Sequence, residues 1–348
     1  MGERSDADRA LAAARDEFTK HGFRDATVGQ IAERAGLTRG AVHSHFPSKR
    51  ALYFAVLAQA AADAPGPPYP PTARTASAAL ADFARAWMAR LPLATDGWHG
   101  ASHLDRDLVP EILSSEAASR AFSQLTSLSA IVVGLAMEQL DPKKAATRMV
   151  RAAGTALTAL HGARQLAAAA PGFGEPFAVA RICEELADLD LGDGWAPAHL
   201  PYVSPALAVD QRWDPPPVRD ALRGDPAELT GDGVVAILGL HRLEAVEEAW
   251  RAVPAGAAVT AVLVTDSPGE LGALARFVVS DLRGCLRAAV PPAAWPSLRI
   301  VHDESGAVAA AAGVAECGDA TQTAVRIRAG RIVARADGYG ACHAAASA

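Results

Sequence analysis

The rhythm of apolar positions changes twice along this 348-residue chain. From Asp6 to His21, Ala10, Leu11, Ala14 and Phe18 recur at the three- and four-residue spacing of an amphipathic helix, and Gly22 follows as a stop. Thr27 stands directly before VGQIAERA, where its hydroxyl can cap free backbone N–H groups, so a helix is expected to start there. Gly36 ends that segment, Thr38 opens the short RGAVHSHF, Pro47-Ser48 break it, and KRALYFAVLAQAAA resumes a helical pattern. Residues 64–74 form a Pro-rich connector. Ala/Leu-rich stretches at about 75–92, 108–115, 117–139, 143–170 and 176–190 then predict four or five more helices. Gly192 to Pro226 holds seven prolines and little periodicity, which reads as an interdomain linker.

After Gly231 the pattern becomes that of strands. GVVAILGL, AVTAVLVT and SLRIVH are continuous apolar runs, as in buried parallel strands, each followed by a helical stretch. TAVRIRAGRIVARADG alternates around Ala329-Gly330, a hairpin signal. The expected order is β-α-β-α-β-α-β-β with a short C-terminal helix. The organisation that follows is multidomain, an all-α part followed by an α/β domain. Its parts are a module of short helices at 1–55, a helical domain at 56–192, a Pro-rich linker at 193–230 and the α/β domain at 231–348.

Half the residues are hydrophobic, 21% are charged and the mean hydropathy is +0.11, so the chain can bury sizeable cores. Cys183, Cys285, Cys317 and Cys342 are widely spaced without a CxxC, which argues against a disulfide scaffold and a zinc cluster. The N-terminal MGERSDADRA has no apolar signal region, and no run of 18 apolar residues occurs, so the expectation is a cytoplasmic protein without a membrane span. The net charge of −6 disfavours a whole-surface nucleic-acid binder. Its distribution changes that picture: residues 1–50 carry nine Lys+Arg against seven Asp+Glu, and residues 26–50 carry Arg34, Arg39, Lys49 and Arg50 against Glu33 alone. A small basic module on an acidic body is the asymmetry expected when one part meets phosphate and the rest does not.

Within that window, two short helices meeting near Gly36 must cross closely. Small Ala32 suits the contact, and Ile31, Leu37 and Val42 give the apolar points that fix the crossing. The outward set on the second helix is Thr38, Arg39, Gly40, Ala41, His43, Ser44 and His45, the arrangement of a helix-turn-helix whose second helix enters the major groove. Gly40 and Ala41 permit close approach to base edges, and Arg39 can bond bidentately to guanine. Thr27 and Lys49, each at a helix start, complete the candidate DNA-binding residues, Lys49 meeting phosphate together with its helix N-terminus.

Phe18, Gly22, Thr27, Ile31, Ala32, Ala35-Gly36-Leu37, Arg39-Gly40, His45-Phe46, Lys49 and Leu52 together resemble the TetR/AcrR family of bacterial transcriptional regulators, over about the first 55 residues. His43 stands where that family usually has a tyrosine that contacts phosphate. The resemblance implies a homodimer bound to a palindromic operator, a repressor released by a small molecule in the helical domain. One short recognition helix makes few contacts, so a two-fold dimer is also the physical expectation. The small residues Ala152, Gly154 and Ala156, with the amphipathic 176–188, suggest the dimer interface. Phe83, Trp87, Trp98, His103, Phe122, Met137 and His161 are the candidate ligand contacts, being large or polar residues on otherwise Ala/Leu-rich helices.

The α/β part resembles a thioredoxin fold, nearer its peroxiredoxin branch, on Asp303, Gly306, Ala309, Gly313-Val314, Thr323, Gly330 and Ile332. Redox members of that fold place a nucleophilic cysteine at the start of the helix after the first central strand. Here that position reads GLHRLEAVEEAW, so the reading is a redox-inactive structural or interaction module without catalytic residues, metal or cofactor. The alternative is a thiol sensor or peroxidase-like enzyme using Cys317 with Cys285 or Cys342.

Overall fold

A computed structural model describes residues 5–91, 104–140, 147–170, 172–196 and 203–348. The head is built of α1 (Asp6–Asp25, broken at Gly22), α2 (Val28–Ala35), α3 (Arg39–His45) and the start of α4 (Lys49–Ala62). Each begins on a Ser or Thr (Ser5, Thr27, Thr38, Ser48) whose hydroxyl accepts from the N–H three residues on. Such a cap contributes on the order of 1 kcal/mol. Phe18, Ile31, Val42, Tyr53 and Phe54 fill the centre of the head, and Glu17, buried, accepts from Arg34 Nε at 2.7 Å to pin α2 to α1.

The helical layer follows as α5 (Ala76–Met88), α6 (Leu108–Leu113), α7 (Glu116–Leu140), α8 (Val150–Ala169) and α9 (Pro176–Leu186). Among the described residues α7 alone is long and apolar enough to cross a membrane by length and composition. It is the central core helix here, mostly buried beneath its neighbours. Ala152 and Ala156, expected at an interface between copies, are instead buried within the protomer. Gly134 shows how close α7 and α8 come, since a Cβ there would lie 2.7 Å from the Val150 backbone. What α8, α9 and their connections turn outward is larger: Leu166, Phe173, Phe177, Ile182 and Leu189.

The remainder is one six-stranded mixed sheet, in the order β1-β6-β5-β2-β3-β4. The strands are β1 (Leu207–Arg212), β2 (Gly233–Gly239), β3 (Ala258–Val264), β4 (Leu298–His302), β5 (Gln322–Arg328) and β6 (Arg331–Asp337). β2, β3 and β4 are parallel, while β5 and β6 form the expected hairpin, β5 running antiparallel to β2 and β6 antiparallel to β5. Within the stretch read as a linker, β1 joins the sheet edge antiparallel to β6, and Trp213, Asp220 and Leu222 are buried, so the α/β unit begins upstream of Gly231. The crossovers α10 (Val246–Ala252) and α11 (Ala273–Ala289) belong to one sheet face together with the C-terminal α13 (Ala341–Ala346). The short α12 (Ala307–Ala311) and Trp213 cover the other.

The two halves share a core. α11 lies against α4, α5 and α7, so apolar residues of head, helical layer and one sheet face form a single cluster. A buried ion network adds polar ties between them. Glu247 on α10 accepts from Arg148 Nε at 2.7 Å and Nη2 at 2.6 Å, ahead of α8, and from Arg251. Arg251 is in turn gripped at both Nη atoms by Glu138 of α7, at 2.6 and 2.7 Å.

Candidate nucleic-acid interface

The turn between α2 and α3 depends on Gly36, whose φ of 65° lies in the left-handed region that a side chain disfavours. Its N–H reaches back to Glu33 O, and Leu37 N–H to Ala32 O, which closes the turn. Thr38 then caps α3 through Ala41 N at 3.1 Å, and buried Val42 seats α3 on the head. Thr27, Thr38, Arg39, Gly40, His43, Ser44 and His45 are all exposed, with Ala41 partly covered, so the sequence-expected residues are open to solvent. Ser44 Oγ donates to Ala41 O at 2.8 Å, which leaves its lone pairs outward. The Arg39 guanidinium lies over Gly29 at the start of α2, where a Cβ would meet it at 2.6 Å. Lys49 sits at the edge of this surface. Its Nζ donates to Arg24 O at 3.2 Å and lies 4.4 Å from the Phe23 ring centre, and partial burial lowers its pKa from 10.5.

The head is held to the rest at named points. Asp107 accepts from Phe23 N at 2.8 Å, and Tyr53 Oη, deep in the core, donates to Leu104 O at 2.8 Å. At a separate point Glu270, in the turn leading into α11, accepts from Ser48 and Arg50. Arg50 stands in the basic window of the sequence, but its pairing with Glu270, 220 positions away, leaves no signal there.

Of the candidate ligand contacts, Trp87, Phe122 and His161 come together. His161 packs edge-on against Trp87 at 4.9 Å and Phe122 at 5.6 Å. They line an internal space of about 20 Å³ with Arg164, Phe277 and Asp281, enough for one water. Phe122 and His161 also border an open groove of about 820 Å³ between α7 and α8. Burial pushes the His161 imidazole down to about 4, with the neighbouring Arg164 guanidinium acting the same way, so it is neutral at physiological pH. Arg164 stacks on Trp87 at 4.5 Å; its Nε lies 3.4 Å from Asp105 Oδ2, and among the described residues neither it nor Trp87 Nε1, both buried, makes a hydrogen bond. Phe83 supports Trp87 from the core at 6.3 Å, while Met137 is fully buried in α7 away from these cavities. Trp98 and His103 lie outside the described residues.

The cysteines sit on separate elements, Cys183 on α9, Cys285 on α11, Cys342 on α13 and Cys317 between α12 and β5. Cys183, Cys285 and Cys342 are buried and Cys317 is partly exposed, all of them free. Burial pushes the Cys183 thiol up to about 11 and Cys285 up to about 12, and raises Cys317 and Cys342 as well. The loop after β2, where a redox helix would start, is covered by α7. There His241 Nε2 is 3.2 Å from Ala117 O, and Glu244 N donates to Gln124 Oε1 at 3.0 Å.

Comparison with known proteins bears on the head. Residues 10–56 match the family model "Bacterial regulatory proteins, tetR family". The chain is 50% identical over 50 residues to the HTH-type transcriptional regulator SrpR of Pseudomonas putida, covering 14% of this chain and 24% of that protein. It is 49% identical over 49 residues to the HTH-type transcriptional regulator RutR of Escherichia coli K12, covering 14% and 23%. It thus spans about a quarter of the length of these two relatives. The crystal structure of NalD, the secondary repressor of the MexAB-OprM multidrug efflux pump in Pseudomonas aeruginosa, aligns over 52% of this chain and 93% of NalD, at a TM-score of 0.31 and 19% identity. The capped helices, the Gly36 turn and the family match agree on one conclusion: residues 10–56 are a TetR-family helix-turn-helix domain.

Proposed function

We propose that the chain is a DNA-binding transcriptional regulator acting as a homodimeric repressor. The observation that carries this reading is the exposed polar face of α3, held rigidly by the Thr38 cap and by Val42 and presented from a TetR-family domain. Homodimerisation through α8 and α9 is supported by the outward Leu166, Phe177 and Ile182, which a second copy would cover. A small-molecule effector in the helical domain is supported by the convergence of Trp87, Phe122 and His161 beside the α7–α8 groove. In vitro selection from random duplex DNA with the full chain is expected to return a palindrome with two half-sites about one helical turn apart or a multiple of it. Selection of no common sequence counts against the reading.

We infer further that the α/β domain is thioredoxin-like and redox-inactive. The strand order β4-β3-β2-β5-β6, with three parallel strands and a terminal hairpin, supports the first part. The absence of cysteine from the loop after β2, the cover that α7 gives that loop, and four thiols all raised in pKa support the second. Alkylation of the native protein at pH 7 is expected to be slow and confined to Cys317, and Cys317→Ser is expected to leave DNA affinity unchanged under hydroperoxide. Loss of DNA affinity on hydroperoxide treatment, abolished by Cys317→Ser, would instead establish the sensor.

A further inference from the structure

Glu270 belongs to the α/β domain, yet among the described residues the hydrogen bonds and ion pair of its carboxylate are with the head. Its Oε2 accepts from Ser48 Oγ at 2.8 Å, and its Oε1 from Arg50 Nε at 2.7 Å and Nη2 at 2.5 Å. Both side chains of the ion pair are largely covered, 15% exposed for Glu270 and 26% for Arg50, so water screens the attraction only partly. Ser48 is also the N-cap of α4, its oxygen accepting from Ala51 N at 2.9 Å. One hydroxyl therefore does two things: it starts α4 and hands its proton to the neighbouring domain. Arg50 extends the joint to a third element by donating to Ser114 Oγ at 3.0 Å, just before α7. Pro47 abuts Gly269, where a Cβ would lie 3.2 Å from the ring.

The joint stands two residues from the reading helix. α3 ends at His45, and Phe46 and Pro47 alone separate it from Ser48. On its other side the joint runs directly into α11, a 17-residue helix seated along α4 and α5 and fixed by the ion pair between Asp281 and Arg90. Glu270 is therefore held on a rigid element. The second attachment of the head, Asp107 to Phe23 N and Leu104 O to Tyr53, lies toward α1 and the middle of α4. Two separate attachments, one to Phe23 and Tyr53 and one to Ser48 and Arg50, define an orientation where one would leave a pivot. The pairing also assigns Arg50 a role other than the phosphate contact its place in the basic window suggests.

We infer that Glu270 is a positioning residue for DNA recognition: through it the α/β domain sets the angle at which α3 is presented. This rests on the DNA-binding reading above, and the test separates the two. Full-length protein, Glu270→Ala, Glu270→Gln and the charge swap Glu270→Arg with Arg50→Glu are compared in two measurements. The first is hydrogen exchange of the amides of residues 41–52 in the absence of DNA. The second is affinity for the duplex selected by the unaltered protein and for random duplex at the same salt. Both single variants are expected to speed exchange about tenfold and to lose about tenfold in affinity for the selected duplex, with random duplex unchanged and the swap recovering part of the loss. Glu270→Gln, nearly isosteric, keeps the test valid should Glu270→Ala destabilise the fold. Unchanged exchange overturns the inference whatever the protein does with DNA. So does a gain in affinity on removing the carboxylate, which would mean that Glu270 merely repels phosphate. Changed exchange in a protein that selects no DNA sequence leaves the head-holding role standing and removes the DNA-binding reading alone.

Discussion

Glu247→Ala is expected to destabilise the full chain by about 3 kcal/mol, read as a lower urea midpoint in equilibrium unfolding. The reason is the company this carboxylate keeps. It is 4% exposed, receives two hydrogen bonds from Arg148, and shares Arg251 with Glu138. Truncating it leaves two guanidinium groups, both mostly covered, with one carboxylate partner each: Asp193 for Arg148 and Glu138 for Arg251. An uncompensated buried charge costs more than the pair contributed, so the effect belongs toward the lower end of the 3–5 kcal/mol range only because those partners remain. Replacing Arg148 and Glu247 together by methionine is expected to cost much less, since both charges then leave the interior at once. Because Arg148 and Glu138 belong to the helical layer while Glu247 and Arg251 belong to α10, the single variant is also expected to split unfolding into two transitions. A single transition at the unaltered midpoint would show that the shared apolar core alone couples the halves.

The Arg39→Ala, Lys49→Ala double variant is expected to lose on the order of 100-fold or more in affinity for the selected duplex, by fluorescence anisotropy. The two residues fail differently. Arg39 is exposed and rests against Gly29, and among the described residues it makes no hydrogen bond, so it can swing to a guanine edge. Its loss is expected to relax discrimination at one base position in each half-site, by about 1–3 kcal/mol per contact. Lys49 is ordered in advance by Arg24 O and the Phe23 ring, which reduces what it must lose in side-chain freedom to meet a phosphate. Its loss is expected to weaken binding to all sequences alike and to flatten the salt dependence by about one unit per site. Full retention of affinity by the double variant would move the interface away from α3.

Some elements were legible because their signals are local. The threonines that open α2 and α3, the glycine that ends α2, and apolar runs for β2, β3 and β4 all act over a handful of neighbours. The strand β1 was not legible for the complementary reason. At a sheet edge its side chains are nearly all exposed, so no alternation marks it, and prolines around it suggest a linker. Ala152 and Ala156 misled in another way. A small side chain records that something comes close, and here it is the protomer's own core rather than a second copy. In the candidate ligand site the sequence supplied Trp87, Phe122 and His161; Arg164 stands one turn beyond His161 on α8, whereas Phe277 and Asp281 entered only because α11 docks there.

By itself, then, the sequence determined the helix-turn-helix with its outward residues, the core strands and hairpin of an α/β unit, and the lack of a cysteine where a redox helix would begin. Tertiary structure alone decided that α11 packs on α4, that Glu270 reaches Ser48 and Arg50, and that α7 covers the loop after β2. The physical reason is range. Caps, turns and hydrophobic periods are set by chain neighbours, whereas an ion pair across some 220 positions depends on how two finished surfaces meet and leaves no pattern around either partner.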